Sequence, residues 1–213
     1  KNLEDVGVQF AAADVVELEA DLWPADAPAA PDAAFEGMYR RARGAVLPGV
    51  ARAPLTLEDE WMIHELARAC REFHAAMESR RLNDAAYAGY DCFWHEYCDW
   101  YLEAIKSRLH GDDLPAKRTA LLVALMAHSV LLRMLHPFLP YITEELWSGH
   151  PATAGYCMTT PMPRFSSGAP FETAATRFSL AKDLVSAARN LRNEMGGPPG
   201  RRGALILRAG AAQ

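Results

Sequence analysis

The run that most constrains the fold lies between two sets of prolines. Pro115 suits the first turn of a helix, where a missing N–H costs nothing, and Leu121, Leu122, Leu125, Met126, Val130, Leu131 and Leu135 then recur at helical spacing up to His136. Pro137 and Pro140 break that helix, and Pro140 can open a short one ending near Trp147 and Gly149. Glu144 and Glu145 then fall in its first turn, where carboxylates suit the positive end of the helix dipole.

The same period governs most of the chain. Phe35, Met38, Tyr39, Ala42 and Val46 mark a helical segment over about 35–47. Thr56 with Asp59 three residues on is a capping-box-like start for a helix running to about 80. Asn83, a preferred N-cap, opens a third helix to about 109. In it Ala86, Tyr90, Phe93, Tyr97, Tyr101 and Ile105 form one apolar stripe, and Trp94, Cys98, Leu102, Ile105 and Leu109 a second. A helix apolar on more than one side is central to its fold, so Trp94, Trp100 and Tyr101 read as core. A last helix over about 171–195 sets Leu184, Ala188, Leu191 and Met195 on one stripe and stops at Gly196-Gly197-Pro198-Pro199-Gly200.

Residues 24–34 form a Pro/Ala/Asp linker, residues 150–170 a long loop, and Leu205–Leu207 the possible start of a strand. The expectation is an all-α helical bundle of five or six helices with short non-helical ends. In domain terms, 1–34 is an unassigned acidic segment, 35–195 the helical domain and 196–213 an exit segment. The chain begins at Lys1 and not Met, as a piece of something longer does.

The chemistry of catalysis is hard to find. No Gly-rich phosphate loop, Ser-x-x-Lys, Gly-x-Ser-x-Gly or His-Glu-x-x-His string occurs. The seven histidines have no paired nucleophile and read as hydrogen-bonded packing residues. Cys70, Cys92, Cys98 and Cys157 lie scattered, and Cys92, His95 and Cys98 do not share one helix face, so no catalytic and no metal site is expected. With no signal peptide and no apolar run judged long enough for a bilayer, a reducing cytoplasmic setting and no membrane partner are the expectation.

Charge points elsewhere. The net charge of −5 opposes binding to a polyanion, but residues 1–36 carry nine acidic groups against Lys1, a net of −8, which leaves +3 on residues 37–213. The basic side chains are mostly arginine, suited to bidentate phosphate contacts and to stacking on bases. Candidates for RNA contact are Arg40, Arg41 and Arg43 beside Tyr39; Arg80 and Arg81; Lys106 and Arg108; and Arg189 with Arg192. Helix-dipole compensation alone also places cations such as Arg80, Arg81, Lys106 and Arg108 near helix C-termini.

Several strings carry a more specific likeness. Residues 81–103, through Phe93-Trp94-His95-Glu96-Tyr97 into Cys98-Asp99-Trp100-Tyr101-Leu102-Glu103, resemble the central anticodon-domain helix of valyl-tRNA synthetases. The string Leu131 to Trp147 resembles the next stretch of that family, and Tyr156–Pro163 its following loop, with Met162 in place of a tryptophan. Arg189 to Met195 with Pro198-Pro199 resembles its last bundle helix. Tyr39 to Gly44 keeps an aromatic and an arginine of the family's Asn-Ala-x-Arg-Phe run but loses the Asn and Phe.

The resemblance covers about 55–208 and implies an anticodon-binding bundle of the class I aminoacyl-tRNA synthetase type. The His-Ile-Gly-His and Lys-Met-Ser-Lys-Ser signatures of that family do not occur in these residues. What it implies further is a parent enzyme, a cytoplasmic monomer, that joins valine to its tRNA using ATP and magnesium. The fragment needs no cofactor of its own, and its partners are tRNA and the parent's catalytic domain. The alternatives are an isoleucyl- or leucyl-type fragment, or a structural or protein-interaction bundle without RNA binding.

Overall fold

A computed structural model describes residues 53–150, 155–165 and 171–196. Among these the chain is helical with no strand. The segment over 35–47, the 24–34 linker and the ends beyond 196 lie outside the described residues. The fold falls into two compact units, one up to Ala175 and one from Thr176.

Helix α1 spans Leu57–Glu78 and starts as the sequence predicts. The Asp59 carboxylate accepts the Thr56 backbone N–H at 3.1 Å and its hydroxyl at 3.0 Å, satisfying a donor the helix start would otherwise leave bare. One continuous helix follows in three pieces: α2, Leu82–Asp91; a π-helical stretch, Cys92–Tyr101; and α3, Leu102–His110. Its N-cap is Arg81 rather than Asn83, which lies inside the first turn. Helix α4 spans Leu114–Leu135, with the Asp113 carboxylate accepting the Ala116 N–H at 3.1 Å and Pro115 in the first turn. Helix α5 spans Pro140–Ser148, and a 3₁₀ turn, Cys157–Thr159, interrupts the loop after it.

The central helix is α4 and not the third predicted one: from Arg118 to Leu135 only His128 escapes full burial. It is also the one described helix long and apolar enough to cross a membrane by composition, contrary to the sequence reading. Its most apolar stretch is 89% buried in the bundle, which is how a core helix passes the same test. Around it pack Trp61, Leu66 and Phe73 from α1, Tyr97 and Tyr101 from the π stretch and Ile105 from α3. Burying side chains of this size contributes roughly 1.5–3 kcal/mol each. Gly89 lets α2 approach closely, since a Cβ there would stand 3.3 Å from Leu135 Cδ2.

The π stretch resets the register of its helix. In i→i+5 geometry residues five apart align, so Cys92 and Tyr97 both face the core although an α-helix would turn them well apart. Before it, Ala85, Ala88 and Gly89 face inward instead of the expected Ala86 and Tyr90. Trp94, read as core, is therefore exposed, Trp100 is half-buried, and Tyr101 is fully buried as expected.

Glu144 and Glu145 sit past the first turn of α5. The Glu144 carboxylate accepts the N–H groups of Cys157 at 2.9 Å and Met158 at 3.2 Å. Two further bonds hold this loop: buried Arg133 donates to the Pro161 carbonyl at 3.3 Å, and His74 Nε2 donates to that of Pro163 at 2.7 Å.

In the second unit, helix α6 spans Glu172–Glu194 from its start in the first. It stops where predicted: Gly196, at φ +65°, donates its N–H to the Asn193 carbonyl at 3.0 Å, a left-handed turn that glycine adopts without strain. Its expected apolar stripe, Leu184, Ala188, Leu191 and Met195, is exposed or half-buried.

Candidate nucleic-acid interface

The predicted basic residues do not converge. Arg80 and Arg81 form the turn between α1 and α2, both exposed, and Arg81 is paired with Asp84 at 2.7 Å. Arg80 takes φ +58°, a left-handed conformation that strains a side chain other than glycine. Lys106 and Arg108 stand at the far end of the same helix, on the order of 40 Å away at about 1.5 Å per residue. Lys106 is exposed and paired with Glu103. Arg189 and Arg192 are exposed on α6 in the second unit, and Arg40, Arg41 and Arg43 lie outside the described residues.

Arg108 is not a solvated helix-end cation. Its guanidinium grips both oxygens of buried Asp59, at 2.7 and 2.8 Å, and lies 3.2 Å from Glu58. Tyr101 donates its hydroxyl to the same carboxylate at 2.8 Å. Burial first, and then the Asp59 charge, pushes the Tyr101 phenol well above its usual range, so it remains a donor. With Thr56 added, Asp59 ties the start of α1 to the π stretch and α3. The sequence showed Asp59 only as a capping residue, because nothing local announces a partner 49 positions on.

The first described residue, Ala53, is held at this pole. Ala53 donates its N–H to the Pro115 carbonyl at 3.4 Å and accepts the Thr119 hydroxyl at 2.8 Å. Exposed Lys106 and His110, half-buried Lys117 and buried Arg118 are further described basic groups here, among exposed Glu103, Asp112 and Asp113.

The N-terminal half of the same helix carries a feature the sequence reading missed. Tyr87, Tyr90 and Trp94, 66%, 48% and 50% exposed, line the outer face of α2 and the π stretch. The Tyr90 and Trp94 rings are parallel within 2° at 6.4 Å between centroids. Exposed Glu78 and Asp84 stand with Arg80 and Arg81 at the start of this helix, while exposed Asp99 lies further along it, nearer Lys106.

Most of the described histidines pack, as expected. His128 lies between Tyr97 at 6.2 Å and His150 at 5.2 Å, and His150 Nε2 donates to the Leu125 carbonyl at 3.2 Å. Burial lowers His128 to about 4; burial and then the neighbouring His128 lower His150 to about 3. His95 and His110 are the exceptions, both exposed, with His95 3.4 Å from Asp99. Among the described residues no group of three or more His, Cys, Asp or Glu is placed to hold a metal.

Residues 59–206 match the family model described as the anticodon-binding domain of tRNA ligase. The chain is 39% identical over 166 residues to a valine--tRNA ligase of Geobacter sulfurreducens, covering 75% of this chain and 19% of that protein. It is 36% identical over 184 residues to that of Agrobacterium fabrum, covering 80% of this chain and 19% of that protein. With that of Syntrophotalea carbinolica it is 34% identical over 161 residues, 72% of this chain and 17% of that protein. The chain thus spans less than a fifth of the length of these curated relatives.

Proposed function

Because the chain belongs to the family of anticodon-binding domains of tRNA ligases, we propose that it docks the anticodon stem-loop of a valine tRNA as part of a longer valine--tRNA ligase. The match over residues 59–206, with relatives all named for valine, carries the reading. The parent reaction is ATP-dependent joining of valine to its tRNA in the cytoplasm, by a monomer. ATP and magnesium serve that reaction in parts of the parent outside this chain. Here the helical domain of residues 35–195 holds RNA: cations grip phosphates, and unpaired bases are read on their edges and faces.

We assign the contact to the pole of Lys106. Arg43 stands ten residues before Ala53, which is fixed there, and Arg40 and Arg41 lie just beyond. Arg108 supports this pole through Asp59 rather than by touching RNA. Arg80 and Arg81 stand at the other end of the helix, with Arg81 already paired with Asp84, and contribute little, while Arg189 and Arg192 offer phosphate contacts from the second unit.

A gel-shift titration of the chain with valine tRNA at 50 and 200 mM salt tests this. Four phosphate contacts from Arg40, Arg41, Arg43 and Lys106 weaken binding roughly 50- to 150-fold across that range. Replacing the four by alanine removes most of that salt dependence; replacing Arg80 and Arg81 leaves it. Absence of binding at low salt, or binding that salt does not weaken, refutes the RNA reading in favour of a protein-interaction bundle. The chain alone should show no ATP–pyrophosphate exchange with valine, and detectable exchange refutes the placement of the active site elsewhere.

A further inference from the structure

We propose that the Pro/Ala/Asp stretch of this chain, residues 24–34 with Pro28-Ala29-Ala30-Pro31 as its core, docks on the row of rings formed by Tyr87, Tyr90 and Trp94. The occupant is a segment of the same polypeptide, and neither RNA nor a second protein takes part.

The rings supply the receiving surface. Tyr90 and Trp94 lie parallel within 2° at 6.4 Å between centroids, and Tyr87 stands one turn before Tyr90 on the same helix. The three form a strip about 10 Å long at about 1.5 Å per residue, and all are exposed. The strip is held in place from behind. Ala88 and Gly89 of the same turn are buried, and a Cβ at Gly89 would stand 3.3 Å from Leu135 Cδ2. A preorganised apolar surface loses little entropy when a partner covers it.

The sequence of the stretch supplies the matching edge. Proline fixes its own φ and turns the residue before it away from the helical region, so Ala27 and Ala30 join Pro28 and Pro31 in favouring a polyproline II backbone. That backbone repeats every three residues at about 3.1 Å each, which puts Pro28 and Pro31 on one edge about 9 Å apart. Edge and strip agree in length, and a Pro-x-x-Pro segment seated on aromatic rings is a recurrent mode of peptide recognition. Residues 27–31 carry no charge, so exposed Glu78 and Asp84 at the start of the helix do not oppose them. Asp26 and Asp32 flank this core and offer carboxylates to exposed Arg80, beside the Arg81–Asp84 pair.

The connection is long enough. Ala53 is bonded to Pro115 and Thr119 at the Lys106 end, and the helix from Trp94 to His110 covers roughly 25 Å. Pro31 stands 22 residues before Ala53. The helical segment expected over 35–47 would span about 20 Å, and the remaining residues extend about 30 Å more. Tethering gives the stretch an effective concentration on the order of millimolar, at which contacts made by two prolines suffice for docking.

Hydroxyl-radical footprinting of the 213-residue chain, without RNA, tests this. The double variant Pro28→Gly, Pro31→Gly changes nothing in the bundle and should leave the far-UV spectrum as it is. In it Tyr90 and Trp94 should oxidise at least twice as fast as in the wild type, while Tyr141, 92% exposed on α5, keeps its rate. A peptide of residues 22–34 added at millimolar concentration should slow Trp94 of the variant again, and the same peptide with both glycines should not. Equal Trp94 rates in wild type and variant, or no slowing by the first peptide, overturn the proposal. So does wild-type protection that grows with protein concentration, the mark of a second copy, or protection that appears only when tRNA is added, the mark of stacked bases.

Discussion

Replacing Asp59 by asparagine keeps the shape of the side chain and removes the charge that Arg108, Tyr101 and Thr56 share. The Arg108 side chain is only 13% exposed and loses both carboxylate contacts, leaving Glu58 at 3.2 Å as its remaining counter-charge. Breaking a buried ion pair from one side costs about 3–5 kcal/mol. Glu58 offsets part of that, so the expected loss is about 3 kcal/mol, a drop in melting temperature of roughly 6–12 °C for a chain of this size. Urea denaturation followed by far-UV circular dichroism measures it, with the slope checked for constancy. A double-mutant cycle with Arg108→Met should return a coupling of about 2 kcal/mol, because the double variant leaves no charge stranded. A loss under 1 kcal/mol, or additive single effects, refutes the view that this pair holds the pole together. Arg108→Met should also bind valine tRNA within threefold of the wild type once the folded fraction is matched. A loss above thirtyfold in a folded protein would show that Arg108 touches RNA directly.

Other outcomes follow from single observations. Folded, His128 and His150 resist protonation down to about pH 4 and pH 3, whereas unfolded they take up protons near pH 6.5. The unfolded chain therefore binds more protons as pH falls below 6.5, and stability drops by about 2–3 kcal/mol between pH 7.5 and pH 5.5; His128→Phe should halve that loss, and a flat profile refutes it. Arg80→Gly relieves the φ +58° strain and should raise stability by about 1 kcal/mol in urea titration; destabilisation would show that the Arg80 side chain does structural work. Burial pushes the Cys70 thiol up to about 12 and that of Cys157 to about 11, and Cys92 is buried with them. A thiol-reactive disulfide at pH 8 should label half-buried Cys98 in the native protein and the other three only after unfolding.

The sequence was most legible where a residue acts on its own backbone. Pro115, Pro140, the Thr56–Asp59 pair and Gly196 each fix a helix end by steric or hydrogen-bonding effects spanning four residues or fewer, and each end lies within a residue or two of its expected place. Register was less legible. The Tyr90–Phe93–Tyr97–Tyr101 stripe assumes a constant α-helical period, and the π stretch breaks that assumption, turning Tyr90 and Trp94 outward while keeping Tyr97 and Tyr101 inside. Least legible was the role of single cations. Lys106 and Arg108 stand two residues apart with the same local pattern, yet one remains exposed beside Glu103 and the other reaches Asp59 on a different helix.

The separation of the two poles has a physical consequence for the proposed function. A continuous helix from Leu82 to His110 runs between them, and the Asp59 cluster at one end and the Gly89–Leu135 contact at the other fix it to α1 and α4. Phosphate contacts of the kind proposed around Lys106 weaken steeply with salt. Because that helix is continuous, the end fixed by the Gly89–Leu135 contact also sets the position of the Lys106 end, where the RNA contact is proposed. Binding energy spent at that contact then contributes to orienting the distant end of the tRNA, which a flexible connection would dissipate.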